Sequence, residues 1–406
     1  MKWRYSFMRD SIVTTKRQKQ TIRNHELRWM RAALRLARRG LGTTSPNPMV
    51  GAVLVNDGKI IGRGWHRRAG LPHAEIEALR DAQKRGLDPR GATLCVTLEP
   101  CCTHGRTPPC TDAIIAAGIK RVVIGAIDPN PKHSGRAFKI LQRTGIDVVH
   151  GILADGCAKL NEAFNHWIVH RTPFVTVKAA MTLDGKIATA RGESKWITGE
   201  KARAHGMKLR RGSDAILVGI NTILADDPSL TARSGKNIQH STFNAQPPRL
   251  RRIILDSMAR TPLGAKVVCD EFAALTTIFV GKHAPKSRAA ALAKRVNVLV
   301  APGKNPQSAI RNPQLDLRWL LKKLGAENVT RLLVEGGGEV NASFLLGGLA
   351  QRVAFFYAPK ILGGRDSRKA VAGGGAKSLR EVIQLREVEW KRLGPDLLLT
   401  AKVAVA

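Results

Sequence analysis

The sequence predicts an α/β protein made of two domains. Apolar strand candidates alternate with helical segments between residues 49 and 149, and this alternation is typical of layered α/β domains. After His170-Arg171-Thr172-Pro173, which we interpret as a domain boundary, a second series of strand candidates begins at Phe174. The length of 406 residues agrees with this division, because each half is long enough to bury its own core.

Composition excludes several classes of protein. With 43% hydrophobic and 24% charged residues, the chain has the balance of a globular protein and is not largely disordered. It contains no run of about 20 apolar residues, so we expect no membrane-spanning helix. Six cysteines are too few for a disulfide framework in a chain of this length. The close group Cys95, Cys101, Cys102 and Cys110 indicates a metal or catalytic site in a reducing compartment.

The net charge is the unusual property of the composition. Lys and Arg total 67, Asp and Glu total 31, and the formal net charge is +36. A field of this sign attracts nucleic acid, anionic membranes or phosphorylated metabolites. Because the basic residues are spread along the chain, a solvated surface accounts for them at least as well as a nucleic-acid partner does. We expect neither a nucleic-acid partner nor a membrane, and we leave a homo-oligomer open.

Residues 1–24 form a basic leader that is nearly free of acidic residues. The leader has no apolar core followed by a small-residue cleavage site, so it is not a secretory signal. We expect a disordered extension; an organellar transit peptide, which is also basic and acid-poor, is the alternative. Because a plastid leader is usually longer and rich in serine, we expect the protein to work in the cytoplasm.

Hydrophobic spacing and turn residues define the elements of the first domain. A helix with Trp29, Ala33 and Leu36 at helical spacing extends from Glu26 to Gly40, and we assign the arginines between them to a solvated face. Asn56-Asp57-Gly58-Lys59 predicts a hairpin turn. The other predicted elements are strands at 49–55 and 60–65, a helix at 73–85, a strand at 92–98, a helix at 109–117, a strand at 121–127, a helix at 136–144 and a strand at 146–149.

The sequence of the second domain predicts a separate sheet and an exposed polar loop at residues 234–250. Its glycine-rich turn Gly336-Gly337-Gly338 leads from a strand candidate into a predicted helix. Such a turn brings phosphate groups to backbone amides at a helix N-terminus, although glycine turns without ligands are also common. No G-x-G-x-x-G follows a strand, so a Rossmann dinucleotide fingerprint is absent. The predicted strands are 174–180, 215–219, 252–256, 277–280 and 332–335.

Three short motifs predict a zinc site. His73-Ala74-Glu75, Pro100-Cys101 and Cys110 carry the residue types of the zinc-deaminase pattern, in which the glutamate is a general acid/base and not a ligand. One imidazole and two thiolates leave a fourth position open for water, whose pKa zinc lowers toward neutrality. Glu75 can then carry the proton of that water to the ring nitrogen and to the leaving ammonia. His73 and Cys110 each open a predicted helix, where negative charge is favoured.

Two features of the cysteine region leave alternatives open. Cys101 and Cys102 are adjacent, and either sulfur could bind the metal; we prefer Cys101 because it directly follows Pro100. The insert between Cys101 and Cys110 has eight residues, where the zinc-deaminase pattern has two. Arg106 in this insert is suited to hold a phosphate or carbonyl group, and an ordinary exposed arginine is the alternative.

The motifs of both halves resemble those of the bifunctional riboflavin-biosynthesis deaminase–reductase family. The resemblance covers the chain from about residue 25 to the C-terminus, and the long cysteine spacing and the attached second domain are specific to this family among zinc deaminases. The motifs that carry it are Thr44-Ser45-Pro46-Asn47-Pro48-Met49-Val50-Gly51, His73-Ala74-Glu75, Thr97-Leu98-Glu99-Pro100-Cys101, Gly105-Arg106-Thr107-Pro108-Pro109-Cys110, Asp128-Pro129-Asn130-Pro131, Leu183-Asp184-Gly185-Lys186, Ser194-Lys195-Trp196-Ile197-Thr198, Leu224-Ala225-Asp226-Asp227-Pro228 and Val334-Glu335-Gly336-Gly337.

The resemblance implies a cytidine-deaminase-like α/β/α domain at residues 25–170 and a dihydrofolate-reductase-like α/β domain at residues 173–406. The first would use zinc to hydrolyse the amino group of 2,5-diamino-6-ribosylamino-4(3H)-pyrimidinone 5′-phosphate. The second would use NADPH to reduce the ribosyl chain of the product to a ribityl chain.

The resemblance also implies a role for individual residues. Zinc would be held by His73, Cys101 and Cys110, and Glu75 would transfer the proton. The implied substrate contacts are Asn47, Arg106, Ser194, Arg210, Leu230, Arg233 and Glu335. The implied NADPH contacts are Ala180, Trp196, Thr222, Asp226, Ser257, Gly337 and Gly338. Thr103 stands where many family members carry a histidine, so we infer no substrate contact there.

Two other functions compete with this reading. A nucleic-acid base deaminase would share the zinc chemistry and use the positive charge to hold RNA, but its cysteine spacing differs and it leaves the second half unexplained. The other alternative is a binding protein in which one active site has decayed. Glu75 and all three metal ligands are present, which opposes decay of the deaminase, whereas the sequence does not exclude decay of the reductase.

Overall fold

The computed structural model describes residues 16–104, 108–232, 250–302 and 315–404, with side chains from residue 24 onward. The chain divides into two compact units. The first comprises Met1–Gly40 and Met49–Asn161, and the second comprises Leu41–Pro48 and Glu162–Ala406. Among the described residues, every helix is too short or too polar to cross a membrane.

The first unit is built on one mixed sheet. Its strands are β1 (Gly51–Asn56), β2 (Lys59–Trp65), β3 (Thr93–Leu98), β4 (Arg121–Ala126) and β5 (Asp147–His150). Its helices are α1 (Lys16–Ala37), α2 (Ala74–Lys84), α3 (Cys110–Ala116), α4 (Arg136–Arg143) and α5 (Ala154–Leu160), and a 3-10 turn at Arg38–Gly40 follows α1. As far as the structure describes them, the strands pair in the order β2-β1-β3-β4-β5, antiparallel from β2 to β3 and parallel from β3 to β5.

The elements predicted for this unit are confirmed with one exception. In the predicted hairpin, Asp57 and Gly58 have φ values of 47° and 72°, the left-handed conformation that a two-residue hairpin turn requires. The exception is the first helix, which begins at Lys16 and not at Glu26, so the expectation of disorder is wrong for residues 16–24. That stretch lacks the apolar spacing on which the helix prediction relied. The rest of the leader lies outside the described residues.

Helices cover both faces of this sheet. Val53 of β1 packs with Met30 and Ala33 of α1 on one face, while Leu54 packs with Ala78 of α2 on the other. Because neighbouring residues of a strand point to opposite faces, β1 is apolar throughout its buried length. The result is an α/β/α arrangement in which α2 and α3 begin on the same side of the sheet.

The second unit has a larger sheet. Its strands are β6 (Phe174–Thr182), β7 (Lys186–Ala188), β8 (Ala215–Gly219), β9 (Arg251–Leu255), β10 (Thr276–Val280), β11 (Asn297–Val300), β12 (Arg331–Val334), β13 (Arg352–Ala358), β14 (Arg368–Lys369), β15 (Leu385–Leu393) and β16 (Asp396–Val403). Its helices are α6 (Glu162–His170), α7 (Glu200–Arg211), α8 (Ile220–Asp226), α9 (Lys266–Cys269), α10 (Lys286–Ala293), α11 (Leu317–Ala326) and α12 (Gly338–Leu346), with 3-10 turns at Ala273–Leu275 and Leu379–Glu381.

Nine of the described strands of this unit form one sheet, in the order β11-β10-β9-β8-β12-β6-β13-β16-β15. Pairing is parallel from β11 to β13 and antiparallel from β13 to β15, while β7 and β14 form a separate antiparallel pair. The five strands predicted from the sequence are confirmed as β6, β8, β9, β10 and β12. They were predictable because both faces are buried: Leu217 packs with Leu320 on one face and Val218 with Ile223 on the other.

One of the strands that the sequence did not predict, β15, forms an edge of the sheet. β15 is exposed along most of its length, so it has no buried apolar run from which a strand could be predicted. The loop predicted at residues 234–250 falls almost entirely outside the described residues.

Candidate active sites

The elements of the first unit bring the predicted zinc ligands to one place. His73 directly precedes α2, Cys101 follows the carboxyl end of β3, and Cys110 is the first residue of α3. Helices α2 and α3 pack into the same hydrophobic cluster through Ala78 and Ile114. Their N-termini therefore lie close together beside the end of a parallel strand, a usual position for ligand sites in α/β sheets.

The side-chain atoms of these residues form a compact cluster. The Nδ1 atom of His73 lies 3.3 Å from the Sγ atom of Cys110 and 3.5 Å from the Sγ atom of Cys101. All three atoms lie within 4.8 Å of one another, and the backbone N–H of Cys110 donates to the Cys101 sulfur at 3.3 Å. One imidazole nitrogen and two sulfurs at these separations match the donor set of a three-ligand zinc site. The residues therefore fit zinc.

Within this cluster one thiol is held ionised. The hydrogen bond with Cys110 is the largest influence that lowers the pKa of Cys101, to about 4, and the same bond raises the pKa of Cys110. A hydrogen bond with Cys101 also raises the pKa of His73. The cluster thus stabilises a thiolate with protons shared around it, and those are the protons that a metal ion displaces on binding.

Glu75 lies beside the cluster and is enclosed by protein. It belongs to the first turn of α2, and only 3% of the residue is exposed. Burial raises the pKa of its carboxyl group from 4.5 to about 7, against the opposing effect of His73. A hydrogen bond with Cys110 places the carboxyl group next to a ligand sulfur. A carboxyl group whose pKa lies near neutrality can both accept and release a proton.

The structure separates the two adjacent cysteines. The Cys101 sulfur faces His73, whereas the Cys102 sulfur lies 3.5 Å from the Nδ1 atom of His133. Burial raises the pKa of the Cys102 thiol. From the sequence either sulfur could have been the ligand, with Cys101 preferred. In the structure it is the Cys101 sulfur that lies in the cluster with His73 and Cys110.

Two other residues were predicted for the deaminase, Asn47 and Arg106. Asn47 belongs to the segment Leu41–Pro48, which groups with the second unit, and its backbone N–H donates to the carbonyl of Thr44 at 2.8 Å. Arg106 lies outside the described residues. Their predicted contacts with the pyrimidine and its phosphate stay predictions.

A cavity of about 1250 Å³ is the candidate site of the second unit. Its wall includes the turn from β12 into α12, the helix α8 and part of β7. The volume exceeds the range of about 300–1,000 Å³ that is common for small-molecule pockets, so a dinucleotide and a substrate can occupy it together. The predicted contact residues that line it are Ser194, Thr222, Asp226, Ser257, Glu335, Gly337 and Gly338.

Three other predicted contact residues, Ala180, Trp196 and Leu230, are described outside the lining of this cavity. Leu230 is buried in the hydrophobic cluster beneath β8 and β9, and Ala180 lies within β6. Trp196 is 67% exposed, with the guanidinium of Arg203 stacked 4.7 Å from its ring centre. Arg233 lies outside the described residues.

Arg210 reaches the cavity through Glu335. Its guanidinium donates to both carboxylate oxygens of Glu335, from Nε at 2.8 Å and from Nη2 at 2.9 Å, and Nη1 donates to the Thr231 carbonyl at 3.1 Å. The Nζ atom of Lys178 lies 3.5 Å from the same carboxylate. Burial alone would raise the pKa of Glu335, but the two cations hold it at about 2. The cavity therefore contains a fixed negative charge.

Lys178 was not predicted from the sequence. It lies in β6 among apolar residues and its side chain is only 20% exposed. A lysine in the middle of an apolar strand of a parallel sheet is the signal that could have found it, because a buried cation needs a buried anion.

The three glycines of the turn have different surroundings. A Cβ atom on Gly336 would lie 2.4 Å from the Val340 side chain, and one on Gly338 would lie 2.3 Å from the Lys369 carbonyl, so both positions are packed. A Cβ atom on Gly337 would meet nothing within 4 Å, and this glycine lines the cavity. The open backbone at the N-terminus of α12, whose first N–H groups have no partner within the helix, fits a phosphate of NADPH.

Comparisons with known proteins match both halves of the chain. Residues 23–126 match the model of the cytidine and deoxycytidylate deaminase zinc-binding region, and residues 173–399 match the RibD C-terminal domain. The riboflavin biosynthesis protein RibD of Actinobacillus pleuropneumoniae is 42% identical over 374 residues, which cover 92% of this chain and 94% of that protein. The chain belongs to the RibD family.

Solved RibD structures resemble the whole chain. RibD of Acinetobacter baumannii has a TM-score of 0.80 and 36% identity, and the match covers 94% of this chain and 99% of that one. A Thermotoga maritima structure has a TM-score of 0.77 and 36% identity, covers 94% of this chain and 100% of that one, and is described as a diaminohydroxyphosphoribosylaminopyrimidine deaminase/5-amino-6-(5-phosphoribosylamino)uracil reductase.

Membership of the RibD family confirms the central predictions. The chain has the mixed α/β class, with an N-terminal deaminase domain and a C-terminal RibD reductase domain. It is a deaminase and a reductase of riboflavin biosynthesis, and its cofactors are zinc and NADPH.

Proposed function

We propose that this chain catalyses two successive reactions on 2,5-diamino-6-ribosylamino-4(3H)-pyrimidinone 5′-phosphate. The first is hydrolytic removal of an amino group, and the second reduces the ribosyl chain to give 5-amino-6-(5-phosphoribitylamino)uracil. The observation that carries the proposal is the convergence of His73, Cys101 and Cys110 beside the buried carboxyl group of Glu75. The cavity with its fixed Glu335 carboxylate supports the second step.

In the deamination, His73, Cys101 and Cys110 would hold the zinc ion. When bound, zinc lowers the pKa of a coordinated water toward neutrality. Glu75 accepts one proton from the attacking water at a carboxylate oxygen and gives it to the ring nitrogen. It then takes the second proton of the same oxygen and gives it to the amino group, which leaves as ammonia. Its burial keeps bulk water away, so the proton it accepts returns to the substrate.

In the reduction, NADPH supplies the hydride. Gly337 and the first turn of α12 bind a cofactor phosphate, because no side chain separates these amides from the cavity. Glu335 accepts hydrogen bonds from sugar hydroxyls, and Arg210 and Lys178 keep it ionised and in position. Ser194 and Asp226 also line the cavity, and the Ser194 hydroxyl lies 3.5 Å from a carboxylate oxygen of Asp226.

The remaining predicted contacts are part of the same proposal. Asn47, Arg106, Leu230 and Arg233 complete the substrate contacts. Ala180, Trp196, Thr222, Asp226, Ser257 and Gly338 complete the NADPH contacts. Residues 25–170 act as the deaminase domain and residues 173–406 as the reductase domain. The proposed partner is a small phosphorylated pyrimidine. A location in the cytoplasm and a homo-oligomeric state stay predictions.

A coupled assay tests the proposal. Zinc-replete full-length protein is mixed with the diaminopyrimidinone ribosyl phosphate, and ammonia release and NADPH absorbance are followed in one tube. We expect ammonia release to precede NADPH consumption. Ammonia release without NADPH consumption would reject the second reaction. If zinc-loaded protein gives no ammonia release and no NADPH consumption, the proposed substrate is wrong.

A further inference from the structure

The outer face of α1 and of the turn that follows it carries arginines that neither active site uses. Arg28, Arg31, Arg35, Arg38 and Arg39 are all exposed, while the opposite face of the helix packs against the sheet through Met30, Ala33 and Leu34. Spacings of three and four residues align these arginines along one side of a helix. We call them the arginine stripe.

The stripe is not neutralised by the part of the chain that the structure describes. None of its five guanidinium groups has a carboxylate within ion-pair distance among the described residues. The acidic residue of α1, Glu26, is buried and bonded to Arg121. The positive charge of this face is therefore available to an external anion.

A groove continues the stripe at its C-terminal end. Arg35, Arg39 and Arg63 surround a space of about 220 Å³ whose floor is apolar. The guanidinium of Arg39 lies 4.6 Å from the ring centre of Trp65, and a contact of this kind holds an arginine in place. Arginines from a helix, from the turn that follows it and from a strand thus line one space large enough for a phosphate group.

Two simpler explanations account for only part of this arrangement. Cations in the last turn of a helix stabilise its dipole, which explains Arg35, Arg38 and Arg39 but not Arg28 or Arg31. A face kept polar for solubility would mix lysine with arginine and include acidic residues, whereas every charged side chain on this face is arginine. Arginine is the side chain whose planar fork matches phosphate oxygens in pairs.

We propose that the arginine stripe binds the phosphodiester backbone of a nucleic acid, with one phosphate in the groove of Arg35, Arg39 and Arg63. From Arg28 to Arg39 the helix and its 3-10 turn rise about 16 Å, which is long enough to lie along several consecutive phosphates of one strand. A membrane surface fits less well, because interfacial helices insert an apolar face and that of α1 is buried in the core. The sequence led us to expect no nucleic-acid partner because its charge is spread along the chain, and folding gathers part of that charge on one face.

The test measures fluorescence anisotropy of a labelled single-stranded RNA and of a labelled DNA duplex with full-length protein, from about 50 to 200 mM salt. The variant is Arg31→Ala/Arg35→Ala. The matched control is Lys139→Ala/Arg143→Ala, which removes two exposed charges at the same spacing from α4 of the same unit. Zinc content and ammonia release verify that both variants are folded.

We expect the stripe variant to lose about tenfold or more in affinity and the slope of log K against log salt to fall by about 2, one unit for each phosphate contact removed. The control should bind as the wild type does. Equal losses in both variants would reject the proposal in favour of diffuse charge attraction. It would also be overturned if no saturable binding occurs at the lowest salt, or if anionic phospholipid vesicles displace both oligonucleotides.

Discussion

Each unit buries one glutamate at its site, and the surroundings give the two carboxyl groups opposite properties. Among the described residues no arginine or lysine forms an ion pair with Glu75, and burial raises its pKa to about 7. Glu335 is also buried, but Arg210 and Lys178 hold its pKa at about 2. The comparison shows that burial alone does not decide the role of a carboxyl group. A neighbouring cation converts a proton carrier into a fixed charge.

The largest effect should follow from removing a zinc ligand. We expect Cys110→Ala to lose both bound zinc and all measurable ammonia release, because two donors no longer make the three-ligand site. NADPH consumption on substrate that has already been deaminated should continue. Metal analysis and the two activity readings check this, and Cys102→Ala is the matched control because its sulfur faces His133.

If Cys102→Ala loses zinc and Cys110→Ala keeps it, the assignment of the ligands is wrong. If both variants lose NADPH consumption as well, the two activities are not separable in the way that the two sites suggest.

The next effect tests Glu75 as a proton carrier. Glu75→Gln keeps the size and a hydrogen bond but removes the ionisable group, so deamination should fall by about 10²- to 10⁴-fold. Zinc content and NADPH consumption should stay at wild-type values. The nearby Glu77→Gln, which changes a more exposed glutamate of the same helix, should leave deamination nearly unchanged. Deamination that survives in Glu75→Gln would contradict the proposed role.

The two sites also differ in how far the sequence could predict them. The predicted zinc ligands and Glu75 lie within residues 73–110, so local motifs were sufficient to find the cluster that the structure brings together. Lys178 and Arg252 do not belong to such motifs. The apolar strand around Lys178 indicates that it is buried, but no pattern in the sequence names the acidic partner of either cation. Arg252, which is 1% exposed within β9, is paired with Asp270. The strand was predicted from its apolar neighbours, but nothing in its own sequence shows that the arginine is buried.

The third prediction concerns the ion pair that keeps Glu335 charged and so makes it differ from Glu75. Arg210→Met leaves the Glu335 carboxylate buried with one cation, and breaking such a buried pair costs about 3–5 kcal/mol. Urea denaturation, monitored by the fluorescence of bound NADPH, measures the free energy of unfolding of the second unit. Lys208→Met, an exposed position on the same helix, should change the free energy of unfolding by less than about 0.5 kcal/mol. Equal stability of both variants would contradict the pairing.

The same pair predicts a dependence on acid. The pKa of Glu335 is lowered from 4.5 to about 2, so its contribution to stability is complete above 4.5 and is lost as the pH falls toward 2. In Arg210→Met the carboxyl group should take up its proton at higher pH. Denaturation curves measured between these limits should therefore show a weaker dependence on pH for the variant than for the wild type, and parallel curves would count against the ion pair.

The smallest effect separates binding from packing in the glycine turn. Gly337→Ala places a methyl group in open space beside the cavity, so we expect the KM for NADPH to rise about tenfold, which corresponds to about 1.4 kcal/mol, with little change in stability. Gly338→Ala instead places its methyl group 2.3 Å from the Lys369 carbonyl, which should destabilise the second unit by about 1–3 kcal/mol. Ammonia release should be normal in both. If Gly337→Ala binds NADPH as the wild type does, the phosphate does not lie on this turn, and the reductase site then depends on residues outside it.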